Sequence, residues 1–120
     1  MPTIAKHRPA RAKKIDNPVA EIRRLLNPSD GELSLLLNTG IRTAYRWLEE
    51  GPPPQHYPLV RLQELIDLAR KSLKEEAIME WFHEPNRALG GSIPLRLILD
   101  PHGFELVREE LWNAAYGLPL

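Results

Sequence analysis

The chain of 120 residues contains no cysteine. That absence excludes a disulfide framework, a thiolate nucleophile and any cysteine-based zinc site, and it fits a cytoplasmic protein. Also missing is an apolar run approaching the ~20 residues that a membrane-spanning helix needs. The basic start at Lys6, Arg8 and Arg11 leads into no apolar segment of the kind a secretory signal carries. Net charge is absent too, with 16 basic and 16 acidic side chains. The balance hides an uneven distribution. Lys6, Arg8, Arg11, Lys13 and Lys14 all precede the first acid, Asp16, leaving 11 basic against 16 acidic groups in residues 15–120. A basic arm therefore precedes a mildly acidic body. Such an arm is either a solvated terminus or a nucleic-acid contact.

Catalytic constellations are equally scarce. His7, His56, His83 and His102 are scattered and have no metal-ligand spacing. His83 and Glu84 are sequence neighbours, which point in different directions on a helix, so both are read as polar surface. Glu75 with Glu76, and Glu109 with Glu110, sit among other charges. Gly90 and Gly91 lack the downstream lysine of a phosphate loop and the preceding strand of a dinucleotide site. The expectation is a binding protein, not an enzyme, with no metal and no cofactor.

What the chain does have is apolar spacing near 3.6 residues, with no convincing period-two alternation, which predicts an all-α fold. Asn17 caps a first helix with Pro18 in its first turn and Val19, Ile22, Leu25 and Leu26 on one face; Asn27 and Pro28 end it. Ser29 and Glu32 have capping-box spacing, and Leu33, Leu36 and Leu37 follow as an inward face. After Asn38, Thr39 and Gly40, a third helix spans Ile41 to Glu50, stopped by Gly51 and three prolines. A longer helical segment is expected from Pro58 to Phe82, with a break near Ser72. A short helix follows around Leu95 to Leu99, then a turn at Asp100 to Gly103, then a last helix from Phe104 to about Tyr116.

Residues 29 to 50 have the form of a helix-turn-helix, in which the second helix enters the DNA major groove. Asn38 occupies the position that needs a left-handed backbone, and Asn tolerates it better than most residues. Ser34 is small where the helices approach, while Thr39 departs from the apolar residue usual in the turn. Ala44 and Trp47 anchor the second helix, leaving Ile41, Arg42, Thr43, Tyr45 and Arg46 outward. Arg42 and Arg46 have the donors to grip guanine O6 and N7, and Thr43 and Tyr45 can bond phosphate or pack on a thymine methyl. Arg8, Arg11, Lys13 and Lys14 of the arm join these as candidate DNA contacts. One such unit reads only a few base pairs, so a homodimer on a two-part operator is expected.

From about Glu75 onward a second helical module begins. Pro85 disfavours helix at Glu84, Asn86 suits a turn, Gly90 and Gly91 let the chain reverse, and Ser92 is a candidate cap before Pro94. Trp81, Pro85, Asn86, Leu89, Gly90, Gly91, Pro94, Leu95, Gly103 and Val107 together give this stretch a pattern that resembles the toxin-binding domain of Xre/MbcA/ParS-type antitoxins. In that family a helix-turn-helix precedes the domain, as residues 29 to 50 do here, and the resemblance covers about residues 29 to 120. It implies a toxin-antitoxin role: neutralising a RES-domain toxin that consumes NAD, and repressing the operon. It also implies that Tyr116, Gly117, Leu118, Pro119 and Leu120 reach the toxin's NAD cleft. Read from residue type alone, that apolar terminus is either a frayed end or a plug that orders in a partner's pocket. Trp81, Asn86, Arg87, Leu89 and Trp112 complete the candidate toxin surface. The organisation expected is a basic arm over residues 1–15, a DNA-binding region over 16–73 and a toxin-binding module with its tail over 74–120. The rival reading is a transcription regulator without a toxin partner, its C-terminal module serving for dimerisation.

Overall fold

Two asparagines set the path of the first three helices. Helix α1 (Pro18–Leu26) ends at Asn27 (φ 49°) and α2 (Asp30–Leu37) ends at Asn38 (φ 54°), both left-handed, so each turn reverses the chain without glycine. The computed structural model describes residues 17–117, which are helical throughout apart from turns and one isolated bridge between Asn86 and Ser92. At the start of α2 the Ser29 hydroxyl accepts from the Glu32 amide at 3.1 Å, and the Glu32 carboxylate accepts from the Ser29 amide at 2.8 Å. The expected capping box is thus formed. Helix α3 (Ile41–Glu50) follows and stops at Gly51.

The expected long segment is two helices, α4 (Tyr57–Ser72) and α5 (Glu75–His83), separated by extended backbone at Leu73 and Lys74. The break lies where the sequence placed it. A 3₁₀ turn at Arg87–Leu89 leads to α6 (Pro94–Leu97) and α7 (Pro101–Tyr116). Here the structure corrects three local expectations. Ser92 is not the cap of α6, since Ile93 holds that position and no side chain caps it. The short helix is Pro94–Leu97, not Leu95 to Leu99. Asp100 to Gly103 is no free turn: Asp100 caps α7 by accepting from the Gly103 amide at 3.0 Å, and Pro101 starts the helix. An aspartate followed by proline is a strong helix start, and that preference wins over the turn reading.

Helix α4 is the shared wall of the core. It buries Leu59, Leu62, Leu65, Ile66, Leu68 and Ala69, and it packs against α1, α2, α5 and α7. Arg61 pairs with Glu105, and ten residues later Lys71 lies against Tyr116, so α4 and α7 run parallel. Phe82, Ile78, Leu95, Val107 and Leu111 join the same buried cluster as Val19, Ile22, Leu26 and Leu37. The helix-turn-helix and the C-terminal module therefore share one core. An ionic cluster reinforces the join at the surface: Arg70 of α4 and Arg24 of α1 both bond Glu21 and Glu75. Bonding by Arg70, then by Arg24, holds the Glu75 carboxyl below its ordinary pKa.

Helices α6 and α7 meet at Gly103, where an added Cβ would lie 2.2 Å from the backbone oxygen of Leu97. Backbone cannot yield as a side-chain tip can. Gly103→Ala is therefore expected to destabilise the protein by about 3 kcal/mol, the upper part of the usual overpacking range. A thermal unfolding midpoint equal to that of the parent would refute this close approach.

Candidate DNA and toxin interfaces

Asn17 is the one polar side chain buried among the described residues, and it locks α3 in place. Its Oδ1 accepts from the amides of Val19 (3.0 Å) and Ala20 (3.3 Å), capping α1. Its Nδ2 donates to the carbonyl oxygens of Trp47 (2.8 Å) and Leu48 (3.1 Å), in the last turns of α3. One amide thus satisfies free groups at the start of one helix and the end of another. Ala44 is buried beneath α3, and Trp47 is half-buried with its ring edge against His56.

That orientation leaves Ile41, Arg42, Tyr45 and Arg46 exposed, with Thr43 partly covered. Tyr45 is less free than its exposure suggests. Its hydroxyl donates to the Asp30 carboxylate at 2.6 Å, and that hydrogen bond raises its pKa. It is a braced ring, not a loose phosphate donor. The other candidate DNA contacts, Arg8, Arg11, Lys13 and Lys14, lie outside the described residues.

In the C-terminal module, Asn86 builds the corner. Its Oδ1 accepts from the Ala88 amide at 2.9 Å, its carbonyl accepts from Leu89 and Gly91, and its amide donates to Ser92. Gly90 (φ 71°) and Gly91 (φ 85°) supply the left-handed backbone that closes the loop. Trp81 is half-buried against Phe82, Leu89 packs against the core, and Arg87 is exposed. Trp112 and Tyr116 occupy successive turns of one α7 face, 43% and 47% exposed, with ring centroids 4.4 Å apart. Lys71 covers the Tyr116 ring at 5.8 Å. Gly117 is left-handed and ends α7; Leu118, Pro119 and Leu120 lie outside the described residues. No ring pairing joins Trp81 to Trp112 among the described residues.

Sequence reasoning missed several of these roles. His83, read as plain surface, places Nε2 2.6 Å from the Leu26 carbonyl oxygen, tying α5 to the end of α1. His56 does the same for Leu37 at the end of α2, also at 2.6 Å. Each histidine serves an oxygen left free at a helix C-terminus, a need visible in sequence but with a partner 57 or 19 residues away. The Trp112 and Tyr116 pair did carry a local signal, the i, i+4 spacing of helical neighbours. Among the described residues, no group of three or more His, Asp or Glu is placed to hold a metal, and no helix is long and apolar enough to cross a membrane.

The family model described as the antitoxin Xre/MbcA/ParS C-terminal toxin-binding domain matches residues 62–117. No curated protein matches the chain at a significant level. Among solved structures, a chain from the crystal structure of the M. tuberculosis MbcT-MbcA toxin-antitoxin complex is similar, with a TM-score of 0.62 and 21% identity. The match covers 86% of this chain and 95% of that one. At that identity the likeness speaks to the fold.

The double role of Asn17 is testable by a near-isosteric change. Asn17→Asp keeps the cap acceptor but sets a carboxylate against two carbonyl oxygens, and is expected to cost about 2 kcal/mol or more in urea unfolding. A variant as stable as the parent would show that the bonds to Trp47 and Leu48 contribute nothing.

Proposed function

We propose, from the match of residues 62–117 to the Xre/MbcA/ParS antitoxin toxin-binding domain, how the whole chain works. It is the antitoxin of a type II toxin-antitoxin system. Its C-terminal module occludes the active site of a RES-domain, NAD-consuming toxin, and α2 with α3 binds operator DNA to repress the operon. The role is one of binding without turnover. The observation that carries the reading is the family match itself, which spans the corner at Asn86, the exposed Trp112 and Tyr116 pair and the end of α7.

Physical chemistry supports the division of labour. Large aromatic side chains with half their surface exposed are the groups that give most on burial in a partner. Trp112 and Tyr116 have that exposure, and the uncharged stretch from Gly117 to Leu120 continues from them. Trp81, Asn86 and Leu89 then act mainly by shaping the surface, with Arg87 at its rim. On the other side, Arg42 and Arg46 read base edges, Thr43 contacts the backbone, and Arg8, Arg11, Lys13 and Lys14 add phosphate contacts. Two copies bind a two-part site in the cytoplasm. The functional boundaries are residues 1–15, 16–73 and 74–120, although the core crosses the last of them.

Two experiments test this. Deleting residues 116–120 is expected to abolish protection of cells, and of their NAD pool, against the RES-type toxin encoded by an adjacent reading frame, while operator binding persists. Full protection by the truncated chain would remove the occlusion mechanism. Replacing Arg42 and Arg46 together with Ala is expected to weaken binding to the operator by 100-fold or so, from about 1–3 kcal/mol for each base contact, and to spare non-specific duplex. Equal loss on both duplexes would make them phosphate contacts.

A further inference from the structure

The arginines of the described region fall into two groups. Arg24, Arg61, Arg70 and Arg108 each hold a carboxylate: Arg24 bonds Glu21 and Glu75, Arg70 the same pair, and Arg61 and Arg108 both bond Glu105. Arg23, Arg42, Arg46, Arg87 and Arg96 have no such partner among the described residues. Three of these five gather on one side of the molecule. Arg42 and Arg46 project from α3, and Arg23, from the last turn of α1, lies over the ring of Tyr45 at 5.9 Å.

Arg23 and Arg24 are sequence neighbours with opposite surroundings. Successive residues on a helix point about 100° apart, so Arg24 faces Glu21 of its own helix and Glu75 of α5 while Arg23 faces α3. The ring beneath Arg23 is itself fixed, because the Tyr45 hydroxyl is held by Asp30 at the start of α2. Three helices therefore converge on one guanidinium: α1 carries it, α3 supplies the platform and α2 steadies the platform. Acids are also near. The Asp30 carboxylate is turned to Tyr45, and Glu49 and Glu50 are exposed at the far end of α3. A guanidinium kept from all of them, beside a helix that presents two more, is set up for an external anion.

We infer that Arg23 is a DNA phosphate contact, positioned by the Tyr45 ring, which is thereby a positioning residue and not a base reader. This rests on the DNA-binding role proposed for α2 and α3 and adds to it a residue outside the helix-turn-helix. A phosphate contact fixes where α3 enters the groove and carries no sequence information of its own. Its signature is electrostatic: each phosphate neutralised adds about 0.9 to the slope of log affinity against log salt.

The test compares Arg23→Gln, Arg24→Gln and Tyr45→Leu in the full-length chain, by titration at several salt concentrations. The probes are the duplex upstream of the chain's own reading frame and a scrambled duplex of the same length. Arg23→Gln is expected to lower the salt slope by about one and to weaken both duplexes by a similar factor. Arg24→Gln removes the same charge from the neighbouring position and is expected to leave the slope unchanged. Tyr45→Leu is expected to shift the slope in the direction of Arg23→Gln. Thermal unfolding of each variant checks that the fold persists. Parent protein that binds while Arg23→Gln keeps the parent slope overturns the Arg23 assignment alone. Equal slope changes in Arg23→Gln and Arg24→Gln overturn it too, since net charge would then be the cause. An unchanged slope in Tyr45→Leu overturns the positioning role. A parent that binds neither duplex overturns the DNA-reading role and this assignment with it.

Discussion

One helix has to serve both halves of a single core. The fraction of surface buried on folding rises with domain size, so one shared interior stabilises a chain of this length more than two separate interiors of about 50 residues each. The solution is α4, whose buried leucines and Ile66 meet α1 and α2 on one side and α7 on the other. Deep burial of each such side chain stabilises by about 1.5–3 kcal/mol, and here the gain is shared between the two functional halves. Neither half keeps a complete core without α4. The family match begins at Leu62, inside that helix and not at a linker, which is the same fact seen from the side of the C-terminal module.

The shared helix also sets the distance between the two proposed interfaces. His56, beside the first turn of α4, reaches the end of α2, while Lys71, in its last turn, meets Tyr116. Sixteen residues of helix span about 24 Å, so the turn of the helix-turn-helix and the aromatic end of α7 stand well apart. That spacing leaves room for DNA and a protein partner on the same molecule. At the same end of α4 as Lys71, Arg70 joins the cluster of Glu21, Arg24 and Glu75. Exposed pairs of this kind contribute little individually, so the apolar packing beneath, not the ions, holds the halves together.

Much of this was legible because helix boundaries are written in local chemistry. The capping box at Ser29 and Glu32, the asparagine at the tight turn and the break after Ser72 each follow from residues within one turn of the feature. Failures came where the partner was distant or two local rules competed. Asp100 to Gly103 carries both turn and helix-start signals, and the helix start formed by Asp100 and Pro101 is the one that wins. Asn17 was read correctly as a cap, but its second pair of bonds, to a carbonyl 30 residues away and to the next, has no local signature. The candidate sites show the same division. Outward-facing Arg42 and Arg46 follow from helical period, whereas the bracing of Tyr45 by Asp30 depends on how two helices meet.

The corner at Asn86 shows how structural and contact roles divide within one motif. Asn86 spends its side-chain oxygen, its carbonyl and its amide inside the loop, leaving only the side-chain NH2 for a partner. Gly90 and Gly91 are chosen by backbone angle and offer no side chain at all. The motif that makes the module recognisable is therefore mostly scaffold. Its effect is to bring the chain back so that α6 can start at Pro94 and α7 can lie along α4, with Gly103 allowing the closest approach. Only then do Trp112 and Tyr116 reach the surface at the end of a rigid helix. A recognisable corner and an exposed aromatic end are thus two stages of one construction, the first shaping the path and the second presenting the surface proposed for the partner.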